Sequence, residues 1–372
     1  MARSELIRLL LCGDVMIGRG VDQALPFQCE PTLYEDYVKD AREYLRLAEE
    51  ANGPIARPVE LAYPWGEALA ELGREAPDLR LINLETSVTT SDDYWRGKGI
   101  NYRVHPGNIP CLTAAGIQCC SLANNHVLDW GYPGLHETLE SLAKAGVKSV
   151  GAGCNLREAQ APAPFEVGGG RRVLVFGMGA ATSGIPLEWA AAEGRPGVDF
   201  LPDLAVRTAV RAGERIRSLR QSGDVVVVSI HWGANWGFEV AAEELEFAHA
   251  LIDSGGADVL CGHSSHHVRP IEVYRDKLIL YGCGDFLDDY EGIRGHELFR
   301  SDLGLMYFVD IEPASGRLLQ LEMVPTTVRR FRIVHASPAG VGWLRDTLNR
   351  LGRPFGIRTQ IGRDRHLRIR WH

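Results

Sequence analysis

Seven polar residues are set apart by their type and placement: Asp14, Glu85, Asn125, His126, His231, His263 and His266. Each follows or lies close behind a short apolar run. Asp14 follows LLLCG, Asn83 and Glu85 follow LRLI, and Asn124, Asn125 and His126 follow the stretch 117–123. His231 follows VVVVSI and His263 follows DVLCG. Parallel strands put their C-terminal ends along one sheet edge, where ligands bind, so segments distant in sequence converge there. Taken singly, each residue has an ordinary explanation: a histidine after a strand can bond a loop, and Glu85 can cap a helix. Taken together, oxygen and imidazole donors without cysteine suit one or two divalent ions of manganese, iron or zinc. Glu85 has the reach to bridge two ions while Asn125 and the histidines complete their shells. Such a pair lowers the pKa of bound water and clamps an oxyanion. That chemistry serves phosphoester and amide hydrolysis alike, so the donor set leaves the bond cleaved open.

Other residues are candidates for holding a substrate. Arg19, in GDVMIGRG, has the fork to grip a phosphate or carboxylate, with a surface ion pair as the competing account. Arg103 and His105, in NYRVHPGNIP, are weaker candidates. Trp232 and Trp236 offer a platform for a sugar or peptide, or they pack a loop. The glycine-rich stretch matches neither GxxxxGKS nor GxGxxG, which disfavours a nucleotide-cradling loop. No GxSxG elbow occurs and no cysteine has an evident histidine partner, which disfavours covalent acyl transfer. His249, near Leu245 on an apolar stripe, reads as a satisfied interior histidine. His136, His296, His335, His366 and His372 lack the strand-exit context.

The elements that must carry these residues alternate between strand-like runs and helical stripes, the pattern of a sheet covered by helices. Strands are expected at 6–12, 79–82, 117–122 and 173–178. The run Val225 to Ile230 is apolar enough for a strand covered on both faces. Leu135, Leu139 and Leu142 predict a helix after Pro133 that stops at Gly146, and Ala241, Leu245, Ala248 and Ile252 predict another ending at Gly255-Gly256. Residues 205–219 form a third. A helical insertion is expected near 34–65, placed to form a rim or lid. Beyond residue 268 short strands at 269–274, 278–281, 305–311 and 318–324 predict an antiparallel finish to a mixed sheet, with turns at Asp276-Lys277 and Ala314 to Gly316.

At 372 residues and 45% hydrophobic, the chain has ample material for one large domain. Acidic residues exceed basic ones, 48 to 40, and the net charge of -8 gives no general reason to bind nucleic acid. The 8 cysteines form no CxxC pair and read as buried free thiols. The N-terminal apolar run is too short for a membrane span and lacks signal-peptide regions, so the chain is read as mature, cytoplasmic and without a membrane anchor. The tail from Trp343 holds Arg345, Arg350, Arg353, Arg358, Arg363, Arg365, Arg368 and Arg370; it is expected to be solvated or to contact a second copy in a homodimer.

The ordered motifs resemble the CapA capsule and poly-γ-glutamate biosynthesis family: GDVMIGRG at 13–20, NLE at 83–85, SLANNHVLDWG at 121–131, GAGCNLREAQAP at 151–162, HWG at 231–233, and GHSSHHVRPIEVYRDKLILYGCGDF at 262–286. The resemblance runs from about residue 7 to 312. That family is related to the calcineurin-like metallophosphoesterases, which implies a four-layer αββα sandwich of mixed sheets with metals at the strand exits. It implies Asp14, Glu85, Asn125, His231, His263 and His266 as ligands. It also implies His126 as the histidine assisting leaving-group departure; Asp129 is placed to orient it, with helix capping near Gly131 as the competing account. Met16 replaces the histidine of the superfamily's DxH motif, which weakens one metal position. GHSSHH leaves His266 or His267 as the last ligand, with His266 in better register, and Asp285 stands where asparagine is usual, able to support the shell or contact substrate. The expected organisation is a domain over 1–328 and an Arg-rich extension over 329–372. The leading expectation is phosphoester hydrolysis; a γ-glutamyl or peptide-like amide hydrolase and a non-catalytic polyglutamate-binding scaffold are the alternatives. The matching partners are an anionic small molecule or a γ-glutamyl polymer.

Overall fold

The structure, a computed structural model, describes residues 6–371. Met1 to Glu5 and His372 lie outside the described residues, and with them the N-terminal reading and that of His372. Two mixed sheets stack face to face with helices on both outer surfaces, an αββα sandwich. The first sheet carries β1 (Ile7–Val15), flanked by the parallel strands β2 (Leu79–Leu84) and then β3 (Cys119–Ser121). The second carries β4 (Arg171–Ala180), β5 (Val225–His231), β6 (Val259–His263) and β7 (Lys277–Leu280), all parallel. A short strand β8 (Asp285–Leu287) returns to pair with β1, and the antiparallel β9 (Leu303–Glu312) and β10 (Arg317–Val328) extend the first sheet beyond it.

Side-chain alternation explains the layering. In β1, Ile7, Leu9 and Leu11 face the second sheet, while Leu10 and Cys12 face the outer helices. In β5, Val225 and Val227 join the inter-sheet core, and Val226, Val228 and Ile230 meet Ile216, Phe247 and Leu251 of the helices outside. The unbroken apolar run of β5 is thus a strand with no solvent face. The outer helices are α1 (Gly131–Lys144) and its neighbours on one side, and α2 (Val206–Leu219) with α3 (Ala242–Asp253) on the other.

Two segments are described in more detail by the structure. In the insertion near 34–65, the helix spans only Arg42–Asn52, with a single 3₁₀ turn at Tyr63–Trp65; Leu45, Ala48 and Trp65 are core residues. The C-terminal segment adds strands to the first sheet. Ile333–His335 and Leu367–Arg370 both pair with β10, and Val341, Leu344 and Leu348 of helix α4 (Pro338–Gly352) join the inter-sheet core. Its arginines 350, 353, 358, 363, 365 and 370 are exposed on this packed scaffold.

Candidate metal centre

The strand exits of both sheets meet at one point. His231 and His263 are register partners at the ends of β5 and β6, and Asp14 is the register partner of both Asn83 and Asp285. Close passage of two backbones makes this possible: a Cβ on Gly13 would lie 1.8 Å from the Gly284 carbonyl oxygen. A glycine there lets β8 run against β1, and the Asp14 amide donates to Gly284 O at 2.9 Å. Beyond β6, Ser264 adopts a φ of 91°, a left-handed conformation costly for a side-chain-bearing residue, and its amide lies 3.3 Å from Asp14 Oδ2.

Asp14, Glu85 and His231 are buried, and their donor atoms lie within 4.8 Å of one another. Asn83 holds the carboxylates in place, its Nδ2 donating to Asp14 Oδ1 at 2.8 Å and Glu85 Oε2 at 3.2 Å. Asn124 in turn donates to Asn83 Oδ1 at 3.0 Å and accepts the His126 amide at 3.1 Å, which fixes the loop that presents Asn125 and His126. His263 Nδ1 sits 2.8 Å from Asp14 Oδ1. His266 Nδ1 sits 2.9 Å from Asp285 Oδ1, and its Nε2 meets Asn235 Nδ2 at 3.1 Å. His267 instead spends both ring nitrogens on backbone, the Gly237 amide and the Val268 carbonyl, and packs on Phe299. Of the two, only His266 turns to the polar cluster.

The electrostatics of this group are compatible with a bound cation. Burial and the neighbouring Asp14 charge push the Glu85 carboxyl well above its usual range. Burial would raise Asp14 too, but the hydrogen bond and charge of His263 outweigh it and hold Asp14 low. Burial lowers His231 to about 3. Among the described residues, His231 Nε2, Asn125 Oδ1 and Asp285 Oδ2 are buried without a hydrogen-bond partner. Unmet lone pairs beside crowded carboxylates are what a divalent ion would satisfy, so the residues present fit a metal. Met16, in the position of the DxH histidine, is fully buried and receives the Tyr290 hydroxyl on its sulfur at 3.6 Å. A second group, Glu322 on β10 with Asp364 and His366 in the turn before Leu367–Arg370, is already crosslinked by Arg368.

His126 stands beside the cluster, its Nε2 3.8 Å from Glu85 Oε1 and its Nδ1 2.6 Å from Asp129 Oδ2. Burial, opposed by Asp129 and assisted by the Lys98 charge, lowers His126 to about 4. Lys98 bonds both His126 and Asp129. It was not among the residues singled out in the sequence, because its segment between residues 89 and 102 has no periodic pattern. A cavity of about 550 Å³ opens at His266 and is lined by Tyr37, Tyr102, Trp236, Tyr290 and Arg329.

The remaining candidates fall elsewhere. Arg19 edges the cavity, but its guanidinium is buried between Tyr44 and Tyr102 and bound to Glu35 and Asp289, so its charge is already matched. Arg103 lies over Trp130 and binds Asp92 and the Ser91 carbonyl, and His105 caps the turn at Gly107. Trp236 stacks on His296 at 3.7 Å. Trp232 is wholly buried against Phe247 and Tyr281, donating to the Tyr281 carbonyl at 3.1 Å, so it is a core residue and no platform. Trp232→Phe should lower unfolding free energy by about 1–2 kcal/mol in a denaturant titration through the lost hydrogen bond and volume, with KM unchanged; a raised KM at undiminished stability would return it to the substrate site. His249 bonds Glu272 at 3.0 Å and is satisfied, though partly exposed.

The chain has relatives among known proteins. The chain is 50% identical over 366 residues, 98% of its length and 96% of the relative's, to a probable polyglutamine synthesis accessory protein of Mycobacterium tuberculosis. It is 29% identical over 216 residues to the PGA biosynthesis protein CapA of Bacillus subtilis, covering 58% of this chain and 54% of that one. With the capsule biosynthesis protein CapA of Bacillus anthracis it shares 24% identity over 288 residues, 77% of this chain and 61% of the other. The family described as bacterial capsule synthesis protein PGA_cap matches residues 8–290, and the chain belongs to that family.

Proposed function

We propose that the protein is a metal-dependent hydrolase of phosphoesters. The observation that carries this reading is the buried Asp14–Glu85–His231 group with unpartnered donors around it and a histidine, not itself in the group, beside it. Asp14, Glu85, Asn125, His231, His263 and His266 would hold one or two ions of manganese, iron or zinc. A bound divalent ion supplies positive charge that polarises the scissile group and makes water more acidic. The chain's own residues do the rest. Asn83 and Asn124 keep the carboxylates and the Asn125–His126 loop in register. Tyr102, Tyr290 and Trp236 wall the cavity against bulk water on one side, and Arg329 stands at its exposed edge. His126 donates from Nε2 to the departing oxygen, with Asp129 and Lys98 both at its Nδ1.

The relatives' names, which concern polyglutamine and PGA synthesis, favour a second reading: hydrolysis of a γ-glutamyl amide, or polymer binding without turnover. No helix among the described residues is long and apolar enough to cross a membrane. One experiment separates these readings. Protein of measured metal content is assayed on a panel of phosphomonoesters, phosphodiesters and γ-glutamyl oligomers, with and without chelator. Chelator-sensitive phosphate release is the expected result. Glutamate release alone would replace the reaction, and tight oligomer binding with no turnover would replace the enzyme by a scaffold.

A further inference from the structure

The Lys98 side chain is largely buried, at 15% exposed, and places its ammonium against the two groups that set the state of His126. Its three protons have three acceptors: Ile100 O at 3.2 Å, Asp129 Oδ1, and His126 Nδ1 at 2.9 Å. Nδ1 has a single in-plane position, and two neighbours ask opposite things of it. Asp129 Oδ2, at 2.6 Å, asks for a proton on Nδ1; Lys98 asks for a lone pair there. The count of satisfied groups favours Lys98, at the cost of a 2.6 Å approach of Asp129 Oδ2 to Nδ1 with no hydrogen between them. Asp129 is satisfied without His126, because Oδ1 takes Lys98 and Oδ2 takes the Tyr102 amide at 2.6 Å. Lys98, by contrast, has no third acceptor among the described residues if Nδ1 keeps its hydrogen.

We propose that Lys98 is a positioning residue that donates to His126 Nδ1 and thereby holds the imidazole as its Nε2–H tautomer, hydrogen aimed toward Glu85 and the reacting centre. The consequence is that a neutral imidazole presents a fixed donor to the charge developing on the departing oxygen, with no need to become imidazolium first. No proton leaves His126 in this role; the released oxygen takes its proton from water. The Asp129 carboxylate then serves chiefly to anchor Lys98 and the Tyr102 backbone. This inference rests on the proposed place of His126 in the reaction, but its first test does not involve turnover.

In full-length protein labelled with ¹⁵N-histidine, long-range ¹H–¹⁵N correlation reads the tautomer of each ring, and loss of one signal set in His126→Ala assigns His126. The expected wild-type result is Nε2–H, changing to Nδ1–H in Lys98→Met, where Asp129 becomes the only partner, and staying Nε2–H in Lys98→Arg, which keeps a donor. Turnover of the best phosphoester should fall about 10- to 100-fold in kcat for Lys98→Met, with KM unchanged and most of the loss recovered by Lys98→Arg. A wild-type Nδ1–H tautomer overturns the proposal, and that reading needs no variant to fold. The same tautomer in wild type and Lys98→Met, or an unchanged kcat, also overturns it. A chain that turns over no substrate while His126 holds Nε2–H would remove the hydrolase reading and leave the Lys98 contact standing.

Discussion

Glu85→Gln should strip the centre of its metal while making the metal-free protein more stable. Glu85 is buried beside Asp14, and burial together with the Asp14 charge holds its carboxyl well above the usual range. An amide keeps the shape, keeps an oxygen for Asn83 Nδ2, and puts an N–H where a protonated carboxyl would reach Asp14. Removing the uncompensated charge should raise unfolding free energy by about 0.5–2 kcal/mol. The sign with pH follows from the raised value. Between the ordinary carboxyl range and that value the folded state binds more protons than the unfolded, so metal-free wild type loses stability as pH rises through this window. The Glu85→Gln variant lacks that loss. Metal affinity moves the other way. If about 10–16 kcal/mol of binding is shared among four ligands, one ligand is worth roughly 3 kcal/mol, on the order of 100-fold. Calorimetry of metal-free and metal-loaded protein across pH, beside bound-metal analysis, checks both halves. A variant that keeps full metal content, or that is less stable without metal, would show that Glu85 is a structural acid.

The fold was legible where one physical cause dominates a segment. β5 reads from its sequence because burial on both faces leaves no polar alternation. The stops at Gly146 and Gly255 read because both take a left-handed backbone, at φ 71° and 75°. The C-terminal strands were obscured by charge. In Leu367–Arg370 the residues alternate apolar and arginine, a half-buried edge pattern, but eight arginines in the tail drew attention to the exposed face while Leu367 and Ile369 pack beneath it.

The candidate site divides along the same line. Asp14, Glu85, His231 and His263 were visible because each ends an apolar strand, and topology alone then brings strand ends together. Arg19 was ambiguous because what decides its role is far away in sequence: Asp289, which neutralises it, is 270 residues distant. Trp232 directly follows His231 and looked like part of the site, yet alternation turns it toward the outer helices, where the Tyr281 carbonyl receives its N–H. Lys98 had no signal at all. Its segment is held in place by tertiary hydrogen bonds, such as Trp95 N to the Asp129 carbonyl at 2.7 Å, which leave no periodic trace in the residue order.

His126→Ala should lower kcat for an alkyl phosphoester about 10²–10³-fold and leave metal content at the wild-type ratio. The residue is suited to this because its Nε2 faces Glu85 Oε1 at 3.8 Å, near the Asp14–Glu85–His231 group but outside it. Folding should survive, since Lys98 and Asp129 still pair with each other and Asp129 still holds the Tyr102 amide. The informative measurement is dependence on the leaving group. A donor to the departing oxygen matters most when that oxygen is a poor leaving group, as in an alkyl ester. It matters little for a nitrophenyl ester, whose oxygen leaves readily as the anion. The loss should therefore shrink by at least about tenfold from alkyl to nitrophenyl substrate, with KM little changed for either. An equal loss on both would mean that His126 acts on the water or the metal ligands, and a loss of bound metal in step with activity would make it a ligand.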